Sequence, residues 1–338
     1  MQFGDTVERI IEREDFPMNK VKKYFENHKI SVLGYGPQGR AQALNMRDNG
    51  LNISIGVRKF EDPINDGFVE GVNLHSIEEA TEKGDIVLYL LSDAGQKEIW
   101  PRIKPLLTPN KTLSFSHGFG IVYGDQTGIV PRPDMDVILV APKGTGRTLR
   151  EKFTKGEGVN SSVAVHQDYS GNAYTTTCNL AFAIGSGYLY DTTFQNEVIS
   201  DLVGERGALM GGIHGLFLAQ YNTLRKMGHS PSEAFNETVE EATQSLIPLI
   251  SNKGMEWMYA NCSTTAQRGA IDWYPKFEKA LEPIFQELYQ NVKDGSETRI
   301  VLKSNDDVMY REKLNKELKN ISDMEIWKVG SAVRSLRR

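Results

Sequence analysis

The stretch 29–50, KISVLGYGPQGRAQALNMRDNG, decides how the first half of this chain folds. KISVLG is a β-rich run, and Gly34-x-Gly36-x-x-Gly39 follows it at once and opens a helical pattern over Gln38–Asn49. In that strand–turn–helix setting each glycine has its own task. Gly34 allows the tight turn, Gly36 lets a pyrophosphate approach the backbone, and Gly39 packs helix on strand. The helix N-terminus then faces the phosphates. A glycine turn in some other α/β fold is the competing reading. Gly34, Tyr35, Gly36, Pro37, Gln38 and Gly39 are therefore the candidate dinucleotide-binding residues of the loop.

Further β-rich runs surround this unit: NISIGV (52–57), DIVLYLL (85–91), KTLSFS (111–116), DVILVA (136–141) and SVAVHQ (162–167). Segments such as Ser76–Lys83 between them are long enough for crossover helices. That rhythm predicts a parallel, doubly wound, Rossmann-like sheet. The strands are mostly apolar runs, as expected when both sheet faces are covered. After about residue 192 the strand signals stop, and helical patterns fill 195–226, 231–250, about 265–292 and 307–321. Ser230 followed by Pro231 reads as a helix start. The predicted organisation is an α/β domain over 1–192 and an all-α domain over 193–338, with a helix and a connecting arm in the first thirty residues.

Ligands of open α/β sheets lie beyond the carboxyl ends of the strands. The second strand ends in Arg58 and Lys59, two cations that suit a 2′-phosphate, yet Glu61 and Asp62 follow and would repel one. Solvated surface charge is the competing reading for all four. His117 stands after the strand 111–116, and Lys143-Gly144 after 136–141. At neighbouring strand ends the histidine and the lysine would converge on a substrate beside the nicotinamide, and Gly144 joins the coenzyme candidates.

The helical half opens with an acid ladder, Glu197, Asp201 and Glu205. Four-residue spacing puts the carboxylates on one helix stripe, where like charges cost roughly 0.2–0.5 kcal/mol per pair. The apolar, glycine-rich run 208–221 behind them reads as a packed helix, so part of the stripe is expected to be buried. Buried neighbouring carboxylates take up protons or bind a cation. Glu237 and Glu241 repeat the spacing on another helix. Ligation by oxygen alone points to Mg²⁺ or Mn²⁺.

Composition narrows the class. A net charge of −5 argues against a general affinity for nucleic acid or anionic membrane. Two cysteines, Cys178 and Cys262, fit a reducing compartment without a disulfide framework. The first twenty residues, with Asp5, Glu8, Glu12, Glu14 and Asp15, suit neither a signal nor a transit peptide, and no apolar stretch approaches a membrane span. A cytoplasmic protein is expected. The basic tail from Arg334 to Arg338 reads as solvated charge.

GYGPQGRAQALNMRDNG, SHGFG, VAPKGTGRTLR, NSSVAVHQD, DLVGERGALMGG and CSTTAQ, in that order, resemble the ketol-acid reductoisomerase family over nearly the whole chain. The resemblance implies NADPH and two Mg²⁺ as cofactors. It implies conversion of 2-acetolactate to 2,3-dihydroxyisovalerate, and of 2-aceto-2-hydroxybutyrate to the isoleucine precursor, by alkyl migration followed by hydride transfer. By resemblance Asp201 bridges both ions, Glu205 ligates one, and Glu237 and Glu241 are the second-helix acids. Glu241 is the proton-shuttle candidate, His117 and Lys143 belong to the catalytic set, and Ser263 and Glu197 to the substrate side, with Glu197 as outer support. The chain length resembles the short class, which has one knotted helical domain. In that class two subunits interlock, so that Glu237, Glu241 and Ser263 complete the partner's site; dimers are the minimum and dodecamers also occur. The family commonly carries Ser or Thr among basic residues after the second strand, whereas RKFEDPINDGF is short and has no hydroxyl residue, which leaves NADH open. The rival enzyme reading is a metal-independent β-hydroxyacid dehydrogenase. A catalytically dead NADP-binding regulator would have no reason to keep the acid set with His117 and Lys143.

Overall fold

The computed structural model describes residues 1–337, and the chain divides into two compact units, Met1–Ser200 and Asp201–Arg338. The first unit has eleven strands: β1 Gln2–Phe3, β2 Thr6–Val7, β3 Ile10–Ile11, β4 Ile30–Leu33, β5 Ile53–Gly56, β6 Leu74–His75, β7 Ile86–Tyr89, β8 Thr112–Phe115, β9 Asp136–Pro142, β10 Val159–Gln167 and β11 Ser186–Asp191. Nine of them form one sheet in the order β3-β11-β10-β9-β8-β7-β4-β5-β6. Alternation within single strands explains why both faces are covered. Ile86 and Leu88 enter the core on one face with Ile30, Val32, Ile138 and Val140. Val87 and Tyr89 enter the other with Leu33, Leu113, Phe115, Val137 and Leu139. Continuous apolar runs with helices on either side are the pattern of a doubly wound sheet.

The sheet is not wholly parallel. Strands β6-β5-β4-β7-β8-β9 are parallel neighbours, but β10 pairs antiparallel with β9, and β3 pairs antiparallel with β11. The run 162–167, expected as one more parallel strand, is thus reversed, because β9 and β10 are joined by a helix, Gly146–Thr154, that returns the chain to the same end. The N-terminal arm holds a small hairpin, β1 with β2, ahead of helix Met18–Phe25. Arg13 pins the arm by donating to the carbonyls of Ser186 at 2.7 Å and Glu157 at 2.9 Å. The buried Lys111 ammonium donates to the carbonyls of Thr81 at 3.1 Å and Glu82 at 2.9 Å, and to that of Gly84, closing the C-terminal end of helix Ile77–Lys83.

The second unit is helical throughout its described residues. The patterns read as 195–226 and 231–250 are interrupted by π turns at Glu205–Leu209, Asn236–Glu240 and Ala242–Leu246. Ser230 starts the helix Pro231–Phe235 as expected, its hydroxyl accepting from the Glu233 N–H at 3.2 Å. Helix Gly211–Lys226 does not pack as the apolar run suggested: only Tyr221 is buried in it, and Leu216 is exposed. The 30-residue helix Thr264–Lys293 buries Val292 alone and leaves Ile271, Trp273, Tyr274, Phe277 and Ile284 exposed. The tail is more than solvated charge, since Arg337 donates to both oxygens of Glu240 at 2.8 and 2.5 Å; Arg338 lies outside the described residues.

Candidate active site

The glycine loop joins β4 to helix Pro37–Asp48. Gly34 has φ +98°, and a Cβ there would stand 2.7 Å from the Leu90 carbonyl oxygen, so only glycine fits. A Cβ at Gly39 would collide with the Gly34 carbonyl, whereas one at Gly36 would meet nothing within 4 Å. That open approach is what a diphosphate needs. No side chain caps the helix Pro37–Asp48, which leaves its first-turn N–H groups to an anion. Tyr35, Gly36, Pro37 and Arg40 line a cleft of about 530 Å³. The loop therefore fits a dinucleotide.

Beyond β5, Arg58 reaches Glu98 at 3.3 Å, both side chains being 61% exposed. Lys59 is exposed, and Glu61 and Asp62 form the first turn of helix Glu61–Asn65.

The helix that follows the glycine loop also touches the loops after β8 and β9. Gln38 Nε2 donates to the Gly144 carbonyl at 2.9 Å, and Gln42 Nε2 to Ser116 Oγ at 2.8 Å, so helix Pro37–Asp48 braces the loops that carry Lys143 and His117. Both of those side chains point to one acid. Glu197 is 2% exposed and accepts from Lys143 Nζ at 3.0 Å, His117 Nδ1 at 3.2 Å and the Gly118 N–H at 3.4 Å. Burial, the largest single influence, pushes its pKa up, but His117 and Lys143 together hold it below the ordinary carboxylate range. An ionised carboxylate only accepts, so His117 carries its proton on Nδ1. Gly118 makes the approach feasible: a Cβ there would lie 2.8 Å from Phe194 Cδ1 and 3.1 Å from Val198 Cγ2, on the helix Phe194–Gly204 that bears Glu197.

That helix carries Asp201 one turn beyond Glu197. His117, Glu197 and Asp201 each offer a ligand atom within 4.8 Å of the others. The two carboxylates suit a hard divalent cation, and the imidazole is the softer donor beside them. Glu205 opens the π turn and is half exposed. Glu237 and Glu241 are exposed, and neither they nor Glu205 join a group of three ligating side chains among the described residues. Ser263 is the N-cap of helix Thr264–Lys293, its hydroxyl accepting from the Ala266 N–H at 3.2 Å. Matched strand ends brought His117 and Lys143 forward in the sequence reading. The glycines flanking His117 were expected to permit close approach; Gln42, although it lies inside the motif GYGPQGRAQALNMRDNG, was given no role. Glu197, expected as outer support, is the buried hub of the cluster.

Two family models match most of the chain. Residues 24–188 match the family model described as acetohydroxy acid isomeroreductase, NADPH-binding domain, and residues 194–338 that of the ketol-acid reductoisomerase C-terminal domain. The chain is 59% identical to the mitochondrial ketol-acid reductoisomerase of Saccharomyces cerevisiae, over all of this chain and 86% of that relative. It is 57% identical to a ketol-acid reductoisomerase (NAD(+)) of Desulfosudis oleivorans, over all of this chain and 97% of that one. A solved NADH-preferring ketol-acid reductoisomerase from an uncultured archean superposes with a TM-score of 0.85 at 30% identity, over 97% of this chain and 99% of that one. The chain belongs to the ketol-acid reductoisomerase family, the NAD(P)H-dependent oxidoreductases of branched-chain amino acid biosynthesis.

Proposed function

We propose that this chain isomerises and reduces 2-acetolactate and 2-aceto-2-hydroxybutyrate with the acid ladder as its Mg²⁺ end and NADH as its preferred reductant. The observation that carries the reading is the buried Glu197 between Lys143 and His117, with Asp201 one turn along the same helix. When bound, two Mg²⁺ supply Lewis-acid polarisation of the hydroxy-ketone, and the nicotinamide supplies a hydride. The rest falls to side chains. Asp201 and Glu205 hold the cations, and Glu197 fixes the ammonium of Lys143 and the imidazole of His117 where negative charge develops on the substrate oxygens. Ser263 Oγ already accepts from Ala266, so its proton is left to donate to the substrate carboxylate. Glu237 and Glu241 complete the metal end from a partner subunit, with Glu241 as the proton shuttle.

The choice of NADH over NADPH rests on the turn after β5. The expectation that Arg58 and Lys59 grip a 2′-phosphate meets an arginine already shared with Glu98 and two acids in the next helical turn. Acids at that place suit ribose hydroxyls and repel a phosphate.

A second copy of the chain is the natural cover for the apolar ridge of helix Thr264–Lys293. Burying each such side chain gives roughly 1.5–3 kcal/mol, too much to leave in water along a whole helix. Beside it Val203, Pro283, Phe285 and Tyr289 line an open groove of about 720 Å³. A homodimer is the working unit, and larger assemblies up to a dodecamer would be built from it. A cytoplasmic location is part of the same proposal; no described helix is long and apolar enough to cross a membrane.

One assay tests the reading: reduced-nicotinamide oxidation with 2-acetolactate, run with NADH and NADPH, with and without Mg²⁺. Turnover only with Mg²⁺ and a larger kcat/KM for NADH are expected. A preference for NADPH would return Arg58 and Lys59 to the phosphate. Mg²⁺-independent reduction of a simple keto acid would favour the β-hydroxyacid dehydrogenase reading.

A further inference from the structure

Asp66 was no candidate in the sequence, yet more polar contacts meet on it than on any loop residue of the coenzyme cleft described above. It follows helix Glu61–Asn65, and its side chain is 16% exposed. Arg40 donates to both carboxylate oxygens, Nε to Oδ2 at 2.6 Å and Nη2 to Oδ1 at 2.8 Å. The Tyr35 hydroxyl donates to Oδ2 at 2.8 Å, and the Arg47 guanidinium donates to the Asp66 backbone carbonyl. Two residues on, the buried Phe68 takes the Tyr35 ring edge-on at 5.9 Å between centroids and carries the Arg47 guanidinium 5.2 Å above its own ring.

This cluster is poorly suited to a purely stabilising role. Arg40 is 57% exposed, and ion pairs so open to water add little to stability. What the cluster does is fix direction. Tyr35 stands inside the glycine loop, and Tyr35 and Arg40 both face the cleft. A tyrosine with a free hydroxyl would swing about its χ angles, and a bidentate arginine cannot. Arg40 commits Nε and Nη2 to Asp66, which fixes the plane in which its guanidinium faces the cleft.

We infer that Asp66 is a positioning residue of the coenzyme site, holding the Tyr35 ring and the Arg40 guanidinium as a fixed side wall against the diphosphate end of a nicotinamide dinucleotide. The inference rests on the coenzyme reading of the glycine loop. Burial and the Asp66 hydrogen bond both push the Tyr35 phenol up, and Arg40 holds the Asp66 carboxyl below its ordinary range, as the geometry requires.

The test uses the full chain and NADH, with binding followed by fluorescence titration in the absence of substrate. Asp66→Asn removes the charge that holds both donors, and loss of such charge-assisted contacts weakens coenzyme binding about tenfold. In turnover the coenzyme KM rises in parallel while kcat at saturating coenzyme stays within about twofold, whereas a lesion that merely lowers the folded fraction cuts kcat at unchanged KM. Tyr35→Phe, a milder change that keeps Arg40 on Asp66, weakens binding less. The double variant binds no worse than Asp66→Asn, because both substitutions release the same ring. Wild-type affinity in Asp66→Asn, or additive losses in the double variant, would overturn the inference while leaving the coenzyme reading in place. Failure of the unsubstituted chain to bind either NADH or NADPH would overturn both.

Discussion

Glu197→Gln is the substitution whose outcome the structure specifies most closely. The carboxylate side chain is 1% exposed and accepts from an ammonium, an imidazole N–H and a backbone N–H. Glutamine keeps the shape but turns one acceptor into a donor, so its amide nitrogen must face Lys143, His117 or Gly118, each of which is also donating. Breaking a buried pair by removing one partner's charge costs about 3–5 kcal/mol, and the partial exposure of Lys143 (31%) and His117 (22%) lets water repay some of it. The expected loss is about 3 kcal/mol, and for a unit the size of Met1–Ser200, where 1 kcal/mol moves Tm by ~2–4 °C, the transition falls by ~6–12 °C. Thermal and urea unfolding of the metal-free, coenzyme-free protein measure it. A variant more stable than wild type would refute the reasoning, because the desolvation of Glu197 would then outweigh the attraction of both partners.

Three other substitutions probe the frame around the site. Lys111→Met leaves the carbonyls of Thr81, Glu82 and Gly84 without their donor and is expected to cost about 2–3 kcal/mol, read as a lower urea midpoint; an unchanged midpoint contradicts it. Gly118→Ala pushes against Phe194 and Val198 and displaces the helix bearing Glu197, so kcat falls at least tenfold while coenzyme affinity changes little; equal losses of both would mean a general collapse. The stability gap between wild type and Asp66→Asn has a defined pH course. Asp66 has a depressed folded-state pKa, so its contribution is fully present above the ordinary carboxylate range of about 4 and is lost as pH falls through the folded value. A gap that widens in acid would contradict the assignment.

Which parts of this molecule could be read in its sequence follows from how local their causes are. The glycine loop was legible because Gly39 answers to the Gly34 carbonyl within the same strand–turn–helix unit, whereas the Leu90 carbonyl that crowds Gly34 comes from beyond β7 and could not be read locally. His117 and Lys143 were legible as a pair because parallel neighbours β8 and β9 end at the same edge of the sheet. The reversal of β10 was not, since an apolar run has the same face pattern in either direction, and only the helix before it decides which way it enters. Nor was Asp66, which meets Arg40 from 26 residues away and looks in the sequence like any charge in a polar turn. The ladder was half legible. Helix spacing aligned Glu197 with Asp201, but nothing local told that Glu197 would be buried against two strand ends, or that a π turn would begin at Glu205. The apolar run 208–221 was misread for a related reason: an apolar face predicts burial, not whether its own chain or a second copy supplies the cover.

The central claim is that the acids of this helix hold divalent cations. It is tested most directly by titrating Mn²⁺, a paramagnetic stand-in for Mg²⁺, into the purified protein and counting free ion by electron paramagnetic resonance, for wild type and for Asp201→Asn. The account predicts two tight ions per subunit in the wild type, and in Asp201→Asn a loss of at least tenfold in affinity, about 1.4 kcal/mol, with NADH binding retained. Equal Mn²⁺ affinity in the two proteins would contradict it.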